Sequence, residues 1–428
     1  EGGGGGTRTF LTRAKFDQKN DRPFFDAIKN GIHDSGMPAY GETLSDPEVW
    51  ALVVHIREMQ AKALRAAEGS PKEENGVYKS QHHNYKVETV VDRGLDTPWG
   101  LDWLPDGRML VTNRSGSMVV VKDGKAGPPI QGIPEVVDNG QGGLMDVAVH
   151  PDYAKNGWVY LSFSDPTAPG DRATFTKVVR GKLAFNGEAG RWTDQQTIWE
   201  TDKENYTRSG IHFGNKIVFD GKGHVFFSVG ERGQGERAQD LNRPNGKIYR
   251  VNEDGTVPSD NPFPNSPVWT YGHRNPQGLV FDLNGVLWDT EHAPRGGDEV
   301  NRIEKGSNYG WPVISFGINY NDSPASVPWP NEDQKFAMPV FRWIPSIGAS
   351  GLDVATGAAF PKWKGDLLAG GLAGQNLDRL RIQNDQVVER EELVHGLGRI
   401  RDVDVAPDGT IYLALNGPDK IVRLVPSP

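Results

Sequence analysis

Residues 100–116 read GLDWLPDGRMLVTNRSG: a short apolar strand, a turn rich in Pro, Asp and Gly, and a second apolar strand that ends in polar residues. The same phrase begins again at residues 146, 216, 278, 351 and 401, for example as RDVDVAPDGTIYLALNG in the last case. This spacing is near the about 40–50 residues of common propeller blades, with insertions. Because one such unit cannot bury its apolar faces alone, six repeats predict an all-β, six-bladed β-propeller. A β-sandwich, or a pair of them, is the alternative that also produces many hairpins.

The beginning of the chain has a helical pattern instead. Ser45 and Glu48 have capping-box spacing, and apolar residues recur at helical intervals after them. The pattern predicts a helix from about Pro47 to Ala66 within a separate segment, residues 1–66.

The domain boundaries follow from composition. Residues 67–84 are polar and carry Gly, Pro and Asn, which indicates a linker, so the propeller is expected over residues 85–428. The long insertions at 256–267 and 319–335 are expected to shape a site on one propeller face.

Composition excludes several classes of function. The net charge of −9 argues against a nucleic-acid partner, and no apolar run approaches the about 20 residues of a membrane span. With no cysteine, a disulfide, a thiolate metal site and a cysteine nucleophile are excluded. The opening EGGGGGTRTF has no signal-peptide pattern, and we expect that the natural chain begins upstream of it.

Polar residues that precede the repeated strands are the candidates for chemistry. His212, in SGIHFGNKIVF, could act as a general base, or it could be a turn histidine that bonds only to backbone. Arg274 and Asn275 lie in YGHRNPQGLVF, and Arg399 and Arg401 flank one residue of a strand, so their side chains point to the same side. Three arginines in one channel would bind an anionic ligand, although surface ion pairs are the alternative.

Two further segments are candidates for ligand contacts. Gln141 lies among glycines that allow close backbone approach to a ligand. The segment 289–303, DTEHAPRGGDEVNRI, combines carboxylates with a Pro and Gly turn and could offer oxygen ligands to calcium, or it could be a solvated acidic loop.

Together these segments carry a resemblance. GQGGLMDVAVHPDY, IHFGNKIVF, YGHRNPQGLVFD, EHAPRGGDEVN, KGSNYGWP and GRIRDVDVAPDG occur in order between about residues 87 and 428. They resemble the soluble quinoprotein glucose and aldose sugar dehydrogenases, the glucose/sorbosone dehydrogenase family. The resemblance implies a six-bladed propeller that oxidises an aldose at C1 to a lactone with pyrroloquinoline quinone (PQQ) and calcium.

The same resemblance implies roles for individual residues. His212 would remove the proton of the anomeric hydroxyl while the C1 hydride passes to the quinone, and Arg274 would steady the developing charge. The cofactor-holding residues would be Gln141, Asn275, Arg399 and Arg401, and the calcium ligands would be the backbone carbonyls of Ala293 and Pro294. Ala373 departs from the family pattern, because a Lys or Arg is common there, and Gln375 or Arg379 is a possible substitute.

Residues 24–59 resemble the carboxy-terminal half of a monohaem cytochrome c, in which Met37 would be the sixth iron ligand. The haem-attachment Cys and His are missing, so haem c is expected only if that half precedes this sequence. The resemblances imply a periplasmic or secreted protein that passes electrons to an acceptor such as a cytochrome c or a quinone.

Two other functions remain as alternatives. A calcium-dependent propeller hydrolase, such as a lactonase, could use a His base and a channel metal, and a propeller could also serve only in binding. Neither needs the three arginines. The preferred aldose, the electron acceptor and the oligomeric state cannot be read from the sequence.

Overall fold

The computed structural model describes residues 11–331 and 333–428. The helices are α1 (Asp21–Asn30), α2 (Asp46–Glu68) and α3 (Tyr153–Asn156), with 3-10 turns at Arg13–Phe16, Gln18–Asn20, His33–Ser35, Lys203–Asn205, Gly235–Gln239 and Pro361–Trp363. The strands of the first half are β1 (Glu73–Glu74), β2 (Val77–Lys79), β3 (Asn84–Val91), β4 (Pro98–Trp103), β5 (Met109–Asn113), β6 (Ser117–Lys122), β7 (Lys125–Ala126), β8 (Leu144–Val149), β9 (Trp158–Pro166), β10 (Thr174–Asn186), β11 (Ala189–Trp199), β12 (Ile217–Phe219) and β13 (His224–Val229). The strands of the second half are β14 (Lys247–Asn252), β15 (Val268–Tyr271), β16 (Pro276–Phe281), β17 (Leu287–Glu291), β18 (Asp298–Arg302), β19 (Phe341–Trp343), β20 (Ala349–Val354), β21 (Leu367–Gly371), β22 (Asn376–Gln383), β23 (Gln386–His395), β24 (Arg399–Val405), β25 (Ile411–Asn416) and β26 (Lys420–Ser427).

The described strands form six antiparallel sheets, which are the blades of a propeller. Blades 1 to 5 each use four consecutive strands, β4–β7, β8–β11, β12–β15, β16–β19 and β20–β23. Blade 6 combines β24, β25 and β26 with β3 from the other end of the domain, so it closes the ring. The six-bladed prediction is confirmed, and each repeated phrase supplies the two innermost strands of one blade.

The apolar core lies in the seams between blades. Leu110 and Leu161 pack in the cluster between blades 1 and 2, and Leu352 and Leu380 pack between blades 4 and 5. Corresponding clusters fill the other four seams. The repeated apolar strands are therefore buried by their neighbours rather than within one unit, as expected for a repeat protein.

Aspartates on the innermost strands connect successive blades. In each case a carboxylate oxygen accepts a hydrogen bond from a backbone amide of the next blade, which satisfies a buried donor at the channel wall. The pairs are Asp102 with Val149 at 2.6 Å, Asp146 with Ile217 at 2.8 Å, Asp353 with Val405 at 2.6 Å and Asp402 with Leu101 at 3.3 Å.

Lys216 crosses the channel and neutralises part of this acidic ring. Its Nζ lies 3.1 Å from Oδ1 of Asp146 and 3.0 Å from both carboxylate oxygens of Asp402. These carboxylates raise the pKa of Lys216 well above its usual value, although burial opposes the shift. The lysine thus joins blades 2, 3 and 6 at the axis.

The helical segment packs against the propeller. Helix α2 extends over Asp46–Glu68, close to the predicted range, and Ser45 with Glu48 forms the expected capping box. Trp50 is fully buried, and its Nε1 donates to the carbonyl of Phe316 at 3.1 Å. Asp21 of α1 bonds to Arg57 of α2 and to Arg342 of β19, so one buried carboxylate joins both helices to blade 4.

Residues 67–84 contain more structure than the linker prediction implied. Strands β1 and β2 extend the outer edge of blade 6, and the ring of Tyr78 stacks on Tyr85 at 5.6 Å. Polar composition concealed them because short edge strands are mostly exposed. Within the described residues, none of the helices combines the length and apolar character that crossing a bilayer requires.

Candidate active site

Candidate residues from four blades meet at one end of the channel. Gln141, His212 and the pair Arg274–Asn275 lie just before the innermost strands β8, β12 and β16, and Arg399 begins β24. Innermost strands of a propeller all run in the same direction, so the segments that precede them share one face. Ala293 and Pro294 follow β17, the antiparallel neighbour of β16, and therefore return to the same end.

His212 is held in one orientation by a buried carboxylate. Its Nδ1 donates to Oε1 of Glu231, which leaves Nε2 as the basic nitrogen. The backbone amide of His212 donates to Oε1 of Gln141 at 2.8 Å. A side chain on Gly230 would collide with the His212 carbonyl, 2.1 Å from where its Cβ would lie, so glycine is required there. This pairing favours a base over the turn-histidine alternative.

The surroundings of His212 favour its neutral form. Burial lowers the pKa of His212 below its usual value, the Glu231 hydrogen bond raises it, and the charges of Arg274 and Arg232 lower it further. The net shift is downward, so the imidazole is unprotonated near neutral pH and able to accept a proton.

Asn275 and Gln277 connect the His212 segment to Arg401. The amide of Gly214 donates to Oδ1 of Asn275 at 3.0 Å. Nε2 of Gln277 donates to the same oxygen at 3.3 Å, while Oε1 of Gln277 accepts from Nη1 of Arg401 at 2.7 Å. These hydrogen bonds connect side chains of blades 4 and 6 to the segment before β12 that carries His212.

Positive charge is concentrated at this end of the channel. The guanidinium carbon of Arg401 lies 4.0 Å above the ring of Trp99. Burial first, and then the charges of Arg399 and Arg114, lower the pKa of Arg401 to about 9.

Arg274 holds the loop that follows β17. Its Nη1 donates to the carbonyls of His292 and Ala293, each at 2.9 Å. Oγ of Ser346 donates to the Pro294 carbonyl at 3.1 Å. Asp298 accepts the amide hydrogen of Ala293 at 3.0 Å, so this carboxylate also holds the loop.

A model of the glucose/sorbosone dehydrogenase family matches residues 95–423. The chain belongs to this family. The aldose sugar dehydrogenase YliI of Escherichia coli is 38% identical over 336 residues, which cover 76% of this chain and 89% of that protein. Quinoprotein glucose dehydrogenase B of Acinetobacter calcoaceticus is 27% identical over 351 residues, or 74% of this chain and 70% of that protein.

A solved structure supports the same relationship. The PQQ-bound form of the aldose sugar dehydrogenase from Streptomyces coelicolor superimposes with a TM-score of 0.64 at 29% identity, and the match covers 80% of this chain and 98% of that one. The family match lies within the propeller, so the cytochrome c resemblance of the helical segment stays a prediction. In the structure, Met37 packs partly buried against the apolar cluster that joins this segment to the propeller.

The sequence did not identify Glu231 or His292 in this family member. Glu231 lies in the repeat that begins at residue 216, KIVFDGKGHVFFSVGERG, directly after an apolar strand, and this position was the available signal. His292 is half-buried, and burial together with the charges of Arg274, Arg401 and His212 lowers its pKa to about 3.

A second group of side chains that could act as metal ligands lies next to the segment that carries Arg274. Glu291 accepts from the backbone amides of Arg274 and Asn275, and Nδ1 of His273 donates to it at 2.9 Å. The ligand atoms of His273, Asp289 and Glu291 lie within 4.8 Å of one another. A neighbouring cavity of about 20 Å³, lined in part by Glu291 and Glu299, has room for one water or ion.

The structure also decides between the substitutes considered for the missing cation near Ala373. Ala373 and Gln375 are both exposed. Arg379 is fully buried in the outer part of blade 5, where it bonds to Asp366, Glu389 and Glu391. The proposal that Arg379 could replace a cofactor-binding cation is therefore wrong, because its charge is already committed.

Proposed function

We propose that this chain is a PQQ- and calcium-dependent dehydrogenase that oxidises aldose sugars at C1 to lactones. The observation that carries the proposal is the pairing of neutral His212 with Glu231 at the channel end where Arg274 and Arg401 converge. The names of the relatives, aldose sugar dehydrogenase and quinoprotein glucose dehydrogenase, support it.

The residues present fit an anionic, planar cofactor. Nε of Arg274 and Nε of Arg401 are buried and have no hydrogen-bond partner within the described part of the chain. A buried guanidinium nitrogen without a partner is costly unless a ligand satisfies it. Arg399 and Arg401 would hold the carboxylates of PQQ, and Gln141 and Asn275 would contribute amide contacts.

The carbonyls of Ala293 and Pro294 fit a cation. Each accepts one hydrogen bond, from Arg274 and Ser346 respectively, and each retains a second lone pair. Backbone carbonyl oxygen is a ligand that calcium prefers. The chemistry that PQQ and calcium supply when bound is a two-electron acceptor and a Lewis acid.

The side chains of this site would carry out the proton chemistry. Nε2 of His212 takes the proton of the anomeric hydroxyl, because Nδ1 is occupied by Glu231. The Glu231 carboxylate fixes the tautomer and stabilises the imidazolium that forms, as the acid of a catalytic triad does. Arg274 supplies positive charge beside the reacting carbon, where negative charge develops on the acceptor.

The experiment is dye reduction by the purified chain with glucose and other aldoses, with and without added PQQ and calcium. Activity that requires both additions and yields a lactone supports the proposal. Absence of activity together with absence of a bound-quinone spectrum would reject it and favour the hydrolase or binding alternatives, which a lactone-hydrolysis assay separates.

We further propose a periplasmic or secreted location and a cytochrome c or a quinone as electron acceptor. The family resemblance and the cytochrome-like helical segment support both. Cell fractionation of the natural host tests the location, and reduction of cytochrome c in place of the dye tests the acceptor.

A further inference from the structure

The ring of Tyr320 is exposed at the edge of the candidate active site. With 70% of its surface accessible, Tyr320 has the largest exposed fraction among the large apolar side chains of the described residues. The guanidinium carbon of Arg274 lies 6.0 Å from the Tyr320 ring and 5.3 Å from the ring of Trp311. Two aromatic rings thus flank the arginine, and the outer one faces solvent.

The backbone on both sides of Tyr320 is fixed. Ile318 and Arg295 exchange two backbone hydrogen bonds, at 3.1 and 2.8 Å, directly beside the Pro294 carbonyl. Asn319 closes a turn by donating from its backbone amide to the carbonyl of Ser323 at 3.1 Å and from Nδ2 to its Oγ at 3.0 Å. The ring is therefore carried on an ordered turn rather than on a free loop.

Arg295 adds a third anchor and connects the turn to the helical segment. Its Nε and Nη2 form a bidentate salt bridge with Glu58 of α2, at 3.0 and 2.8 Å. Its Nη1 forms a salt bridge with Asp322, two residues after Tyr320. One guanidinium group thereby joins α2, the calcium-binding loop of the proposed function and the insertion at 319–335. Ordering an exposed aromatic ring in this way lowers the entropy that ligand binding would otherwise cost.

We propose that Tyr320 is an outer sugar subsite, which stacks on the apolar face of the second ring of a disaccharide whose reducing end lies at His212. This inference rests on the proposed function. A rigid aromatic side chain offers a flat apolar surface at low entropic cost, and the C–H face of a pyranose ring complements it. Because Tyr320 faces solvent beyond Arg274, the ring that it contacts is the one that remains outside the reaction pocket.

The test compares Tyr320→Ala, Tyr320→Phe and Leu283→Ala, which removes another exposed apolar side chain (47% accessible) in a turn of the same blade. Steady-state kinetics with maltose and with glucose separate the two rings. Tyr320→Ala is expected to raise KM for maltose about fivefold with little change in kcat, from the usual strength of an aromatic contact. KM for glucose should change less than about twofold. Tyr320→Phe should behave as the wild type, because it keeps the ring.

A binding arm keeps this inference separate from the dehydrogenase proposal. Methyl maltoside cannot be oxidised at C1, and its dissociation constant can be measured by the fluorescence of tryptophans such as Trp311. Tyr320→Ala should weaken methyl maltoside binding about fivefold. Unchanged binding and unchanged KM, or equal effects on maltose and glucose, would overturn the outer subsite. Absence of sugar oxidation in the wild type, with maltoside binding that depends on Tyr320, would instead reject only the proposed reaction.

Discussion

The Glu231→Gln substitution tests the assignment of His212 as the base. Oε1 of Glu231 accepts from Nδ1 of His212 and from the amide of Gly233 at 3.0 Å. A glutamine can place its carbonyl oxygen in the same position, with both donors still satisfied. The variant therefore preserves the orientation and tautomer of His212 and removes only the negative charge.

The expected loss follows from the charge of the hydrogen bond. A hydrogen bond to a charged group contributes about 1.5–3 kcal/mol and a neutral one about 0.5–1.5 kcal/mol, so the imidazolium that forms in the reaction loses about 1–2 kcal/mol of stabilisation. This difference corresponds to a decrease in kcat of about five- to thirtyfold. KM should change little, because the charge matters mainly once His212 is protonated.

The pH profile gives a second readout. The Glu231 hydrogen bond raises the pKa of His212, whereas burial and Arg274 lower it. Without the carboxylate, the pKa of His212 falls further. Since the base is active when neutral, the acid limb of kcat/KM should move to lower pH.

The control for this experiment is Glu236→Gln, which removes an exposed carboxylate from the 3-10 turn that follows. Dye reduction with saturating PQQ and calcium is measured for the wild type and both variants from pH 4 to 9. If Glu231→Gln keeps the wild-type kcat and acid limb, then His212 does not act as a base supported by Glu231.

Three further predictions concern the base, the metal and the helical segment. His212→Ala should lower kcat at least about a thousandfold while PQQ binding persists, and an unchanged rate with saturating PQQ would contradict the base assignment. Chelation should abolish activity that calcium restores, whereas full activity after proven metal removal would exclude a metal role. Trp50→Ala removes a fully buried side chain and should destabilise the docked helical segment by about 3–5 kcal/mol, detected as faster cleavage near residue 70 in limited proteolysis. The exposed Leu52→Ala should cleave at the wild-type rate, and equal rates for all three proteins would contradict this docking interface.

The sequence was sufficient to predict the fold because each blade carries its own local signal. The phrase at 100–116 contains both innermost strands of blade 1 and the turn between them. Aspartates on these innermost strands occur at two repeat positions, Asp102 with Asp353 at one and Asp146 with Asp402 two residues earlier, and in every case the carboxylate binds the next blade. The closure of blade 6 by β3 was not readable, because pairing between the two ends of the domain leaves no local pattern.

Candidate site residues could be predicted from the sequence where they occupy equivalent positions in the repeats. They could not be predicted where their role depends on one tertiary contact. His212, Arg274 and Arg401 stand at or just before an innermost strand, which is the rule that placed them at one end of the channel. Glu231 stands at the end of β13, where polar residues usually face solvent, and only the tertiary structure shows its carboxylate beneath His212. The prediction that Arg379 could contact the cofactor was wrong for a related reason. Its guanidinium group forms ion pairs with Asp366 and Glu391, which are distant in sequence, so the sequence alone did not show that its charge is neutralised.

The net charge of the chain says little about the charge of the candidate site. The chain carries a net charge of −9, yet the charges of Arg114 and Arg399 both act on Arg401, and Arg274 and Arg401 both act on His292. Exposed acidic side chains more than about 10 Å away are screened by salt, whereas a buried charge such as that of Arg274 is screened less. The potential that a small ligand meets at the channel end is therefore set by these arginines and not by the surface. A chain with a net negative charge can for this reason still present a site that suits a small, carboxylate-rich cofactor.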